Sequence, residues 1–294
     1  MRYQFIKEQQ EHFSLAALCR VMQVCRGGFY AWRKCSKSAR QLKNESLTAQ
    51  IKTAHKESKE TYGSPRIFAE LKAKGVVCSE KRIARLMSLH KIIAVRPKRF
   101  VATTDSDHDM PIADNLLDRT FGAETPDTRW TADITYIWTS QGWLYLAIIL
   151  DLFSRRIVGW AMDQTIERSL VLSALNMALN GRRPGKHLLC HSDRGSQYAS
   201  GDYQKRLEEA GIVCSMSRRG NCWDNAPTES FFASLKKEMV YRTKFTTREQ
   251  ARGAVFHWIE VWYNRTRRHS TLGYISPEAF ERQHQQQQTR AKAA

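Results

Sequence analysis

The chain has 294 residues, of which 42% are hydrophobic and 10% aromatic, with eight tryptophans. That is enough apolar material for a buried core and leaves room for two or three domains, which excludes a disordered chain. A formal charge of +18 points to a polyanionic partner, nucleic acid ahead of a membrane surface, and no apolar run approaches the roughly 18 residues of a membrane span.

The opening MRYQFIKEQQEH lacks the apolar segment of a secretory signal, so a cytoplasmic location is expected. The seven cysteines form no C-x-x-C pair and no zinc-finger spacing with histidine. Cys190 beside His191 reads as a buried thiol at a strand end rather than half of a metal site.

The charge is uneven. Residues 1–105 hold 22 Lys+Arg against 8 Asp+Glu, a difference of +14, and the other 189 residues carry only +4. This basic third reads as short helices. SLAALCRVM (14–22) has helical spacing, QVCRGG reads as a turn, and FYAWRKC begins another helix. Two helices across such a turn suggest a helix-turn-helix, with a plain helical hairpin as the alternative. A second helical set follows at 45–58 and 62–75, the latter with Pro65 near its start and Gly75 at its end. Ser79 is placed to cap a further helix over 79–90. Its Ile83, Leu86 and Met87 would face inward, with Lys81, Arg82 and Arg85 outward as a DNA-reading surface. Residues 93–115 carry proline and charge without periodicity and read as a linker.

From about residue 127 the pattern changes. RWTADITYIWT alternates as a strand, WLYLAIILDLF follows after a turn, and SRRIVGWAMD leads through a third. A helix (166–181), a buried strand (187–193), a helix beginning at QYASGDYQ and a strand (212–217) come next. The order β-β-β-α-β-α-β, then a helix, is that of a ribonuclease-H-like fold, a mixed five-stranded sheet with helices. In that order the first and fourth strands are central neighbours, so Asp133 and Asp193 can converge. The final helix would bring in Glu229, separated from Asp193 by 35 residues. Three carboxylates so close repel one another unless a cation neutralises them. Hard oxygen ligands suit Mg²⁺, and two such ions about 4 Å apart can activate an attacking oxygen and stabilise a leaving one.

Other acidic, basic and aromatic residues have plainer readings. Asp151 reads as structural, and Asp224 as a cap or turn before the helix. His269 reads as a DNA or packing contact rather than a base. Trp258, Trp262 and Tyr263 read as core. The tail RQHQQQQTRAKAA reads as polar and disordered.

WTADITYI, HSDRGSQY, SMSRRGNCWDNAPTESFFASLKKE and YNRTRRHSTLGYISPEAF together resemble the DDE motifs of bacterial transposases of the insertion-sequence-three family. The likeness is to the second-open-reading-frame product and extends to FSLAALCRVMQVCRGGFYAW and YGSPRI. The family is related to retroviral integrases. The resemblance implies Asp133, Asp193 and Glu229 as catalytic and metal-binding triad. It implies Mg²⁺, with Mn²⁺ as a substitute and two ions in use. Lys236 matches the lysine seven residues after the glutamate, nearly two helical turns on. With Lys237, Arg267 and Arg268 it is expected at DNA. The implied partners are the terminal inverted repeats and a target duplex, a homo-oligomer on DNA and a first-frame transposase protein, in a nucleoid-associated bacterial setting with no membrane. The family also implies that the first transfer joins one element end to the other as a circle that later integrates. The expected organisation is 1–44 helix-turn-helix-like, 45–100 a second DNA-binding domain, 101–126 linker, 127–240 catalytic core, and 241–294 helical extension with polar tail. A nuclease that hydrolyses without joining and a non-catalytic DNA-binding regulator are the rival readings.

Overall fold

The computed structural model describes residues 2–34, 38–95, 113–218 and 222–293. Three short helices open the chain: α1 (Arg2–Gln9), α2 (Leu15–Val21) and α3 (Arg26–Lys34). Ile6, Leu18, Cys19 and Phe29 close a small core among them. The turn expected over QVCRGG ends early, because α3 starts at Arg26 and takes in both glycines. Gly28 suits that place, since a Cβ there would lie 2.5 Å from the Tyr3 hydroxyl of α1.

Next come α4 (Ala39–Glu57), α5 (Ser64–Ala73) and α6 (Glu80–Leu89). The local signals behave as read. Pro65 lies in the first turn of α5, Gly75 beyond its end has φ +79°, and the Ser79 side chain caps α6. Ile83, Leu86 and Met87 are buried, while Lys81 and Arg85 are exposed. α4 starts ahead of the expected Glu45, where Ser38 supplies a cap. Of the expected linker, residues 96–112 lie outside the described residues.

The region expected to be the core runs β1 (Arg129–Thr139), β2 (Gly142–Asp151), β3 (Ile157–Asp163), α7 (Arg168–Arg182), β4 (Leu189–Ser192), α8 (Ser196–Ala199), α9 (Gly201–Glu209), β5 (Val213–Met216) and α10 (Ala226–Glu238). The sheet order is β3-β2-β1-β4-β5, with β1–β4 and β4–β5 parallel and the other two pairs antiparallel. Both faces are covered, so alternate residues of one strand feed two cores. Leu144, Leu146 and Ile148 of β2 join one, Ala147 and Ile149 the other. The second core holds Leu170, Leu175 and Ala178 of α7 with Tyr198, Tyr203 and Leu207. The first is larger and is continuous with the helical set before it: Ile51, Ile67 and Leu86 pack in one cluster with Phe231, Leu235 and Trp258. Burying each such side chain contributes about 1.5–3 kcal/mol.

Three differences from the sequence reading have local causes. β3 starts only at Ile157, because Leu152–Ser154 form a turn and Arg155 after it has φ +59°. The helix expected from Gln197 onward is broken at Ser200, whose ψ of 140° is extended. The tail expected to be disordered is helical: α12 runs Pro277–Ala293. Gln, Arg, Ala and Lys are adequate helix formers, and the first turns dock through Phe280 and His284 against Phe153.

Before α12 comes α11 (Arg248–Phe256), followed by the π-helical stretch His257–Tyr263. There the Asn264 N–H donates to the Ile259 carbonyl, five residues back. Trp258, Ile259, Trp262 and Tyr263 are buried in it, which bears out the core reading.

Candidate active site

The site is built at the carboxyl end of the central strands. In the parallel β1–β4 ladder Thr131 stands opposite His191. Two residues further along each chain, and on the same side of the pleat, are Asp133 and Asp193. Asp193 follows directly on the last residue of β4, and its Oδ1 accepts from the Gly195 N–H at 3.0 Å. A Cβ on Gly195 would lie 3.0 Å from that same oxygen, so the absence of a side chain lets the turn fold back on the carboxylate.

α10 closes the site from the sheet face that carries Asp133. Its start is tied to β1, because the Asn225 side chain donates to the Ala132 carbonyl at 3.3 Å. The buried Thr228 hydroxyl is 3.2 Å from Asp133 Oδ2 and 2.9 Å from the Asn225 carbonyl, a donor shared between them. Glu229 is the next residue, in the first turn of α10. Burial, then the negative charge of Asp193 and, more weakly, that of Glu229 push the Asp133 carboxyl well above its usual range. The Ile134 N–H, 2.7 Å away, and Thr228 oppose the shift. Burial also raises Glu229.

These are hard oxygen donors set close enough to raise one another, the donor chemistry that suits a divalent cation of the Mg²⁺ type. They are not a closed cage, because among the described residues no three His, Cys, Asp or Glu groups have metal-holding geometry.

Around the carboxylates the structure redistributes the expected basic residues. Lys236 does share the Glu229 face, but that face is covered. It is only 7% exposed, and its ammonium lies 4.8 Å from the centre of the Tyr136 ring. Burial lowers its pKa while the Asp133 charge raises it, so Lys236 sits in reach of Asp133 rather than on an open surface. Lys237 is half-buried. Arg267 and Arg268 are corrected as well. The Arg267 guanidinium is buried and bidentate on Glu238, at 3.0 and 2.7 Å. Arg268 is bonded to Glu70 at 2.8 Å and to the Tyr274 carbonyl, with its own N–H on the Tyr62 hydroxyl. Both serve to hold the C-terminal segment, one to α10 and one to α5.

Arg82 and Arg85 remain at a surface. With Arg40, Lys43 and Lys81 they line a cavity of about 540 Å³ between α4 and α6, and the Asn44 side chain holds the Arg82 guanidinium at 2.8 and 3.1 Å.

Asp224 does not cap α10, whose start has no side-chain cap, and is taken up by ion pairs instead, while Asp151, Cys190 and His269 stand as read. Asp224 is buried and bonded by Arg218, Arg119 and Asn115, which keeps its carboxyl well below the usual range. Asp151 is buried, accepts from the Asp127 and Phe153 N–H groups and meets Arg182. Cys190 is a buried thiol against Tyr203, pushed up to about 12 by burial. The His191 ring bonds the Ser215 hydroxyl instead of turning to the thiol. His269 is packed edge-on to Tyr263.

Two site residues escaped the sequence reading. Thr228 was visible only as a helix start. Tyr198, in HSDRGSQY, is 2% exposed with no hydrogen-bond partner for its hydroxyl, and burial together with Asp193 and Asp133 raises its pKa well above 10.

A mixed sheet of this order with paired aspartates at its carboxyl edge, behind a basic helical region, defines an integrase-core polynucleotidyl transferase. Comparison with known families agrees. Residues 123–222 and 210–277 match two descriptions of an integrase core domain, and residues 41–100 match an HTH-like domain. The chain is 41% identical over 283 residues to transposase InsF for insertion sequence IS3A of Escherichia coli strain K12, covering 96% of this chain and 98% of that protein. It is 44% identical over 269 residues to the insertion element IS600 uncharacterized 31 kDa protein of Shigella sonnei, with 92% and 99% covered. Among solved structures, a simian T-cell lymphotropic virus intasome in complex with PP2A regulatory subunit B56 gamma aligns at TM-score 0.46 and 15% identity, covering 79% of this chain and 74% of that one. The chain belongs to the IS3 family of transposases and is an enzyme of DNA transposition. Among the described residues no helix is long and apolar enough to cross a membrane.

Proposed function

We propose that Asp133, Asp193 and Glu229 are the catalytic carboxylates of a two-step phosphoryl transfer, 3′-end cleavage of the element followed by strand transfer. The observation that supports this most directly is the crowding of carboxylates at the sheet edge, where burial and the Asp193 charge both raise Asp133. Bound divalent ions, two of Mg²⁺ or Mn²⁺, would polarise the scissile phosphate and the attacking oxygen. Asp133 and Asp193 would hold them, each carboxylate oriented by its own donor, Thr228 and Gly195. Glu229 would complete the set by a change of rotamer on the first turn of α10. In the first step water forms the new P–O bond as the P–O3′ bond breaks, leaving the element end as a free 3′-OH. In the second that hydroxyl oxygen attacks a phosphodiester of another DNA, and the strand displaced there leaves as its own 3′-OH. The DNA partners are the terminal inverted repeats and a target duplex, read by the basic surface at Arg82 and Arg85, with the chain acting as an oligomer on them.

The test is a labelled duplex of the element end incubated with Mg²⁺. Asp133→Asn, Asp193→Asn and Glu229→Gln should each cut it at background level while still binding it. Asp133→Asn should also melt at a higher temperature than the parent in a chelator, because it removes a buried carboxyl whose charged form burial and Asp193 disfavour. Full cleavage by any variant removes that residue from the site. A cleaving protein that never joins a pre-cut end to a second DNA would be a nuclease instead.

A further inference from the structure

On the flank of α10 away from Glu229 lies a second cavity, of about 280 Å³. Ser230 and Ser234 line it from α10, one turn apart, so it borders the catalytic helix a quarter-turn from Glu229. Three arginines converge there from separate segments: Arg66 of α5, Arg155 of the β2–β3 turn and Arg267. No aspartate or glutamate is among the lining residues.

Direct ion pairs do not cover all three guanidinium groups. Arg267 is neutralised by Glu238. Arg66 and Arg155 have no carboxylate partner among the described residues. The Arg66 guanidinium lies 5.6 Å from the centre of the Tyr62 ring, and Arg155 donates to the Phe121 carbonyl at 3.0 Å. Burial lowers the pKa of both and the Arg267 charge lowers Arg66 further, against the more distant charges of Glu238 on Arg66 and Asp151 on Arg155. Half-buried guanidinium groups are seldom left without a counter-charge. Arg155 lines the cavity from a left-handed backbone, φ +59°, which carries some strain in a residue other than glycine.

The neutral donors match the same ligand. Arg267 Nη1 is 3.4 Å from His269 Nε2. A guanidinium can only donate, so Nε2 accepts and the proton sits on Nδ1. Together with the Ser230 and Ser234 hydroxyls this lining offers charged and neutral donors and no anion, the composition that receives a phosphate.

We propose that the Arg66–Arg155 cavity binds one backbone phosphate of the DNA engaged at the active site. It would thereby register α10, and with it Glu229, against the strand being processed. The inference rests on the reading of this face as the one that meets DNA, but it does not depend on the three carboxylates. A phosphodiester and free inorganic phosphate share the recognised chemistry, and the structure favours the diester because the cavity flanks the catalytic helix.

The experiment measures binding of the full chain to a duplex of the element end in a chelator, so that no cleavage step enters. Arg66→Gln and Arg155→Asn are compared with the parent, asparagine being chosen because it tolerates the left-handed backbone. Loss of a phosphate contact should reduce the slope of log affinity against log salt by about 0.9 per contact. The duplex is then scanned with single methylphosphonates, which remove one phosphate charge at a time. One position should weaken the parent about tenfold and leave the two variants unaffected. Circular dichroism and melting show which variants are folded, and either one folded suffices. Unchanged slopes with the same methylphosphonate penalties in parent and variants would overturn the proposal. So would stabilisation of the parent by inorganic phosphate, lost in the variants, with no methylphosphonate position affected, since the site would then serve a free anion. Failure of the carboxylate variants to lose cleavage would leave this measurement untouched.

Discussion

Replacing Arg267 with alanine strips a buried carboxylate of its counter-charge. Glu238 accepts from Arg267 Nε at 3.0 Å and Nη2 at 2.7 Å and from the Trp262 indole at 3.2 Å, and the two charged side chains are 5% and 4% exposed. After the substitution only the indole N–H of these three donors remains. Breaking a buried pair by removing one partner costs about 3–5 kcal/mol, because the remaining charge stays desolvated. At roughly 2–4 °C per kcal/mol for a large domain, the melting temperature should fall by about 10 °C. Arg267→Met with Glu238→Leu should recover most of that loss, since an apolar pair of similar volume leaves no buried charge. Urea unfolding followed by tryptophan fluorescence, with thermal melting alongside, measures both variants. A loss below about 1 kcal/mol for Arg267→Ala would place the pair with ordinary surface ion pairs. A double variant no better than the single one would show that charge imbalance is not the cause.

His269 is buried, and its pKa is pushed down to about 2 by burial and by Arg267, Arg66 and Arg155. Its unfolded value is near 6.5, so the unfolded chain binds the proton first. The stability it contributes is complete above about pH 6.5 and falls as the pH drops, by about 2 kcal/mol at pH 5. His269→Gln should flatten that part of the stability–pH curve, and an unchanged slope between pH 7 and 5 would refute the assignment. Arg82→Ala with Arg85→Ala should weaken binding to the element end and lower its salt slope by about 1–2 without changing the melting temperature. Equal loss on unrelated DNA would reduce that surface to a non-specific anchor.

Much of the site could be read from the chain itself, because the signals are local. The alternation of RWTADITYIWT sets which residues share a pleat face, and β1 is formed by those residues. Asp133 therefore lies on a known side of a known strand. Ser79, Pro65 and Gly75 mark helix ends through backbone geometry that depends only on neighbouring residues. The element order implied a central β1–β4 pair, and the observed register sets Asp133 beside Asp193. The basic residues show the other side. Lys236 and Arg267 were legible as cations two helical turns or one segment away from the triad, and nothing local says whether such a charge meets water or a partner. That depends on Tyr136, 100 residues before Lys236, and on Glu238, which arrives from another element. The same holds for Thr228, whose hydroxyl becomes a ligand of Asp133 only when α10 packs on β1. Periodicity and caps are written in adjacent residues, whereas desolvation and charge pairing are properties of the assembled interior, so the tertiary structure alone decided which of the many basic groups are free to meet DNA.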